Sequence, residues 1–250
     1  MCNVKSIMAT YLSFDCANKS LAWSHITFDT DILNKLAALF PSLQDAVNKF
    51  THQDNNLLLL GIIGRFRSIM SGFIRYHSSG VVDLLDGALL RDVDETARTV
   101  ALHNFLTQLD GRSPNIDTDV LIERQNNIGA MTNRASTIVS AQLAYHYVSR
   151  DVLYVNPSLK NKLTLAPHLD ICEYVARELP RHKNASDARY AANKKQSRDT
   201  FVYMCDLLGH SYVYESVSRT YWDDLADSTM QAVAIVRGSN LLVSSFLVNG

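Results

Sequence analysis

Apolar and polar residues alternate from the start of the chain. Ile7, Ala9, Tyr11, Ser13 and Asp15 share one face of an extended segment, because side chains in a strand point alternately to either side. This predicts a strand at about 7–14 with Asp15 at its end. Similar patterning predicts strands at 20–29 and 79–86, then a helix at 93–109 closed by a Gly-Arg-Ser-Pro linker. VLIE carries three consecutive apolar residues, the mark of a short strand covered on both faces, and places a strand at 119–123 that ends on Glu123. Between 132 and 149 the period changes to that of a helix, with Ala135, Ile138, Val139, Leu143 and Tyr147 on one side. A strand at 151–155 precedes Pro157, and helices are expected near 168–178, 186–208 and 223–236. Strands and helices alternating in this way predict an α/β protein. Residues 30–77 read as a largely helical insertion, with amphipathic turns in LNKLAALF and AVNKF. Its LLLLGIIG run is far short of the roughly 20 residues a membrane span needs. It is expected to form core or a dimer surface.

Acids stand out against this framework. Asp15 and Glu123 each fall where a buried strand stops, and Asp223, Asp224 and Asp227 lie at i, i+1 and i+4 of the last helix. Carboxylates held this close raise each other's pKa unless water or a cation compensates them. Their hard oxygens favour Mg²⁺, with Mn²⁺ able to substitute. Each acid alone has a plainer explanation: Asp223 or Asp224 as a helix cap, Glu123 as a loop carboxylate, Asp15 as a turn residue before Asn18. The conjunction is what points to metal.

Composition adds boundaries. With 250 residues, 47% apolar and 20% charged, the chain is long enough to bury a full core as one domain, residues 1–250, carrying the insertion. Cys2, Cys16, Cys172 and Cys205 are scattered without metal-ligand spacing, which excludes a zinc site or disulfide framework and predicts free thiols. The opening residues lack a signal peptide's long apolar core and cleavage site, so an intracellular protein without membrane contact is expected. Net charge is −1. Distribution matters more than the total: residues 177–198 hold Arg177, Arg181, Lys183, Arg189, Lys194, Lys195 and Arg198 against Glu178 and Asp187. Such a stripe is either a solvated helix face or a track for a phosphate backbone.

The segments carrying these residues resemble a known family in order and spacing, over about residues 7–29 and 80–236. SFDCANKSLAW resembles the first hairpin of RuvC-type Holliday junction resolvases, in particular the poxvirus, iridovirus and fungal mitochondrial branches. VLIERQ is similar to their second acidic motif, NRASTIVSAQLAYHYV to the helix after it, and VLYVNPSLKNKL to the next strand with its Pro-x-x-Lys. YAANKKQSRDTFVYMCDLL resembles the Lys-rich helix, and WDDLADSTMQA the terminal Asp-Asp-x-x-Asp-Ser motif. Two departures are visible. Cys16 and Ala17 stand where many relatives have glycine, and RQNNIGAM lacks the aromatic wedge of some bacterial relatives.

The resemblance implies an RNase H-like fold, a mixed five-stranded sheet flanked by helices. It also implies a homodimer that resolves four-way DNA junctions by paired symmetric nicks, with Mg²⁺ and no organic cofactor. Asp15, Glu123, Asp224 and Asp227 match the metal-binding acids, with Asp223 as the alternative to Asp224, and Lys160 matches a basic residue near the scissile phosphate. Lys19, Arg124, Gln125, Lys160, Lys162, Lys194 and Lys195 are the expected DNA contacts. The viral branches imply action at host replication sites. Another RNase H-like nuclease, cutting flaps or RNA–DNA hybrids, would use the same acids, and a non-catalytic junction-binding descendant is a third class. A sugar-kinase or actin-type fold would need glycine-rich phosphate loops, which are missing here.

Overall fold

The structure is a computed structural model that describes residues 8–29, 31–32, 68–69, 71–87, 94–112, 118–125, 134–160 and 171–239. Five strands, β1 (Met8–Cys16), β2 (Ser20–Asp29), β3 (Ile74–Asp83), β4 (Asp119–Glu123) and β5 (Val152–Val155), form one sheet in the order β3-β2-β1-β4-β5. β2 runs antiparallel to both neighbours, whereas β4 and β5 run parallel to β1. The helices are α1 (Glu95–Arg112), α2 (Arg134–His146), α3 (Ile171–Glu178), α4 (Ala185–Leu208), α5 (Tyr212–Glu215) and α6 (Trp222–Ser239).

Strand alternation divides the core in two. Tyr11, Ile26, Phe28 and Leu121 face α4 and α6, packing on Phe201, Met204, Leu225, Met230 and Val233. Leu12, Phe14, Leu21, Val120 and Ile122 point the other way, onto Leu102, Leu106 and Leu109 of α1 and Val139 and Leu143 of α2. Val120, Leu121 and Ile122 are all fully buried, as expected for a strand covered on both faces.

α6 sits close to the sheet because small residues meet there. Ser24 Oγ lies 2.9 Å from Ser228 Oγ and 2.8 Å from Thr229 Oγ1, and Ser20 Oγ donates to Asp224 Oδ2 at 2.8 Å. These hydroxyls satisfy one another in a buried layer, so the close approach leaves few polar groups stranded. α4 is delimited by its own caps. The Asn184 side chain accepts from Asp187 N, and Gly209 takes the left-handed conformation (φ 75°) that ends a helix without a Cβ clash.

The third strand differs from expectation. It begins at Ile74, so residues 74–77 belong to the sheet and not to the insertion. Ile74 to His77 alternate apolar and polar, but the register shifts opposite His25 and Ile26, leaving His77 out of the strand pairing and breaking the alternation before the serines. Gly80 marks a close approach: a Cβ there would lie 2.6 Å from Trp23 Cη2. The strand stops at Asp83, short of 86, because the Asp83 carboxylate accepts from Leu85 N and Gly87 N and turns the chain. β1 runs on to Cys16, which places Asp15 inside the strand opposite Ala22. The second helix ends at His146, three residues short of expectation. Most of 30–77 lies outside the described residues. Among the described residues, Cys16 and Cys205 are free thiols, and no helix is long and apolar enough to cross a membrane.

Candidate metal centre

The register between β1 and β4 brings the first two acids together. Ser13 pairs with Leu121 and Phe14 with Ile122, so Asp15 stands level with Glu123 on the next strand. Partners level across a parallel pair point to the same side, here the side occupied by α4 and α6. α6 supplies Asp227 at that point. One carboxylate oxygen from each of Asp15, Glu123 and Asp227 lies within 4.8 Å of the others. This is a buried, all-oxygen donor set at the carboxyl ends of two adjacent parallel strands, where α/β sheets bind ligands.

Two lysines hold the acids. Lys160, brought round by a turn in which Ser158 N donates to Asn156 Oδ1, donates from Nζ to Glu123 Oε2 at 2.7 Å and lies 2.9 Å from Asp227 Oδ2. Lys194 of α4 donates to the same Asp227 oxygen, and Ser197, one turn along, donates to Asp227 Oδ1 at 3.1 Å. Gln231, one turn beyond Asp227, donates to Glu123 Oε2 at 3.0 Å. The spacings of Lys194 and Ser197 and of Asp227 and Gln231 were the available sequence signals for these contacts, and sequence reasoning passed over them. It placed Lys194 on the DNA track but did not seat it on an acid.

Environment separates the acids electrically. Burial, with the Glu123 charge added, pushes the Asp15 carboxyl well above its ordinary range, and Lys160 and Lys194 only partly offset this. Burial acts on Asp227 in the same direction, but the two lysines outweigh it and hold its pKa below the ordinary value. Burial alone would lower the lysines; Asp227, Asp15 and Glu123 push Lys160 up, and Asp227 and Asp15 push Lys194 up. The site is a charged cluster with more carboxylates than its lysines neutralise. An oxygen-ligated divalent cation such as Mg²⁺ fits that donor set.

The other expected residues are more dispersed. Asp224 stays outside the group of three, held by Ser20, while Asp223 takes Arg198 at 3.3 Å. Burial raises the Asp223 pKa, and Arg198 and Lys194 pull it back. Lys195 donates to Glu178 at 2.9 Å, and Lys19 lies 3.9 Å from Asp83. Arg124 is exposed just past Glu123, and Gln125 folds back to donate to the Glu123 carbonyl at 3.3 Å. Lys162 lies outside the described residues.

The fold is α/β: a mixed five-stranded sheet flanked by helices, with an acid on each of two central strands and a third on the last helix. No family model matches the chain, and no curated protein matches it by sequence. Among solved structures, the chain is similar to T. thermophilus RuvC in complex with Holliday junction substrate, at 8% identity and a TM-score of 0.47, over 92% of this chain and 96% of that one.

Proposed function

We propose that this protein is an Mg²⁺-dependent structure-specific endonuclease that resolves four-way DNA junctions, acting as a homodimer. The observation that carries the reading is the convergence of Asp15, Glu123 and Asp227, with Lys160 seated on two of them. The motif resemblance supplies the substrate class.

In this reading Asp15, Glu123 and Asp227 would hold the metal. Asp224, tied by Ser20 next to the hairpin, is kept as the fourth acid in preference to Asp223, which Arg198 occupies. Bound Mg²⁺ supplies an acidified water as nucleophile and charge to stabilise the leaving 3′-oxygen. The side chains do the rest. Lys160 turns from the acids to the scissile phosphate and offsets the charge that develops there. Lys194 and Lys195 contact backbone phosphates, and so do Lys19 and Arg124 beside the first two acids. Gln231 and Ser197 orient Glu123 and Asp227. A two-fold dimer presents one such site to each of two opposed strands in a nearly two-fold symmetric junction, which gives paired nicks.

The test is a substrate panel: a synthetic four-way junction, linear duplex, flap and RNA–DNA hybrid, each with Mg²⁺ and with EDTA, for wild type and Asp15→Asn. Symmetric metal-dependent nicks in the junction alone, lost in the variant, are the expected outcome. Equal cutting of flap or hybrid would leave the metal centre intact and change the substrate. Metal-independent binding without any cutting would make the protein a non-catalytic junction binder.

A further inference from the structure

The surface beside the metal centre carries an aromatic feature that its acids and lysines do not explain. Tyr190 of α4 is 67% exposed, although it stands between two clefts. The first, of about 280 Å³, opens over the acids and is lined by Glu123, Lys160, Asn193, Lys194 and Asp227 along with Tyr190. The second, of about 500 Å³, holds Arg181, His182, Lys195 and Arg198, and shares Tyr190 and Lys194 with the first. Its acids are already engaged: Glu178 by Lys195 and Arg181, Asp187 by Asn184, Asp223 by Arg198. Among the described residues, the other large exposed aromatics, Tyr145, Tyr154, Tyr203 and Tyr212, line neither cleft.

We propose that Tyr190 is a stacking platform for one unpaired nucleotide next to the phosphate at the metal centre, with the second cleft receiving the phosphate that follows. The inference rests on the nuclease reading above. Tyr190 and Lys194 are four residues apart, so they share a helix face about 6 Å apart along the axis. A cation for a phosphate and a ring for a base thus stand side by side at the boundary of the two clefts. A base inside a duplex has both faces covered by its neighbours, so the ring can take only a base that has left the stack. Every base offers a π-face, which makes such a platform indifferent to sequence. Such a nucleotide becomes available when a junction is opened at its branch point. The arrangement therefore provides an aromatic for holding a junction open, on α4 and not in the segment after Glu123.

The experiment compares wild type, Tyr190→Ala and Tyr190→Phe as full chains, first by fluorescence anisotropy with labelled oligothymidylate in EDTA, where no cutting is needed. Alanine is expected to weaken binding roughly 5- to 150-fold, the range reported for losing one base–aromatic stack, while phenylalanine binds as wild type does. Oligonucleotides with abasic residues should bind all three proteins equally. Next, four-way junctions carrying an abasic nucleotide on one or the other side of the cut should erase the difference in cutting rate between wild type and Tyr190→Ala. Alanine binding as tightly as wild type, phenylalanine failing as alanine does, or an alanine defect that persists on abasic DNA would each overturn the proposal. Wild type that binds oligothymidylate through Tyr190 but cuts no junction would sink the resolvase reading and leave the stacking platform standing.

Discussion

Lys160 places its Nζ 2.9 Å from Asp227 Oδ2, joining the turn after β5 to the last helix inside the acid cluster. Both side chains are nearly inaccessible to water, so the contact couples the stability of the fold to the charge state of its site.

The acids therefore differ in what their removal does to the metal-free protein. Asp227→Asn leaves buried Lys160 and partly exposed Lys194 around an uncharged group, and breaking a buried pair from one side costs about 3–5 kcal/mol. Lys160 keeps Glu123, so the lower end is expected. Asp15→Asn removes a buried carboxylate that is costly to ionise, and leaves stability unchanged or raised. Thermal melts in EDTA check this. A lower Tm for Asp15→Asn than for Asp227→Asn would reverse the assignment.

The same contrast has a pH signature. Asp15 has a folded pKa above its unfolded value of 3.8, so its contribution to stability is fully present below that pH and is lost as pH rises through the folded pKa. In EDTA the Tm of wild type should fall relative to Asp15→Asn as pH is raised from about 4, until Asp15 has ionised. Asp227 works the other way: its pKa is held low, so its contribution is present above 3.8 and lost as pH falls below it. Mn²⁺ should bind more tightly as Asp15 ionises, which calorimetry at a series of pH values would read. An affinity independent of pH would rule out Asp15 as a ligand.

If the acids hold metal as proposed, Lys194 competes with it for the Asp227 oxygen that Lys160 also touches. Lys194→Met should therefore bind Mn²⁺ more tightly, by about tenfold, since a hydrogen bond to a charged group contributes about 1.5–3 kcal/mol and Ser197 still holds the other oxygen. Junction binding should weaken in the same variant and its salt dependence become shallower. Unchanged metal affinity would mean that the ammonium yields no ground to the cation.

Gly80 tests the packing beneath the edge strand. Gly80→Ala drives a Cβ to within 2.6 Å of Trp23 Cη2, and overpacking of this kind costs about 1–3 kcal/mol. The measurement is a denaturation midpoint. If alanine is neutral, Trp23 and Phe105, whose rings lie 4.7 Å apart, move together to make room.

Much of this architecture was legible because the site lies on the most regular elements. Alternation in β1 put Asp15 on a face with Tyr11 and Ser13, and the continuous apolar run before Glu123 marked a strand buried on both sides. The helix acids were ambiguous for a physical reason. Asp227 was expected as a ligand throughout, but Asp223 and Asp224 both share a helical face with it, and only the folded chain separates them, with Ser20 on Asp224 and Arg198 on Asp223. Lys194 read as one more cation in a basic stripe because its partner is 33 residues away on another helix. The start of β3 was missed because the alternation of Ile74 to His77 is cut short by the register shift opposite His25 and Ile26, so it does not join the run after it.

The level pairing of Asp15 with Glu123, completed by Asp227, also bears on when the centre exists during synthesis. Two of the acids are laid down long before the third, and they stay apart from it until the last helix folds onto β2. A growing chain that has not reached Trp222 carries most of its charged groups but no complete cation site. A chain truncated before α6 therefore lacks the third acid, and the group of three carboxylates forms only once that helix has folded onto the sheet.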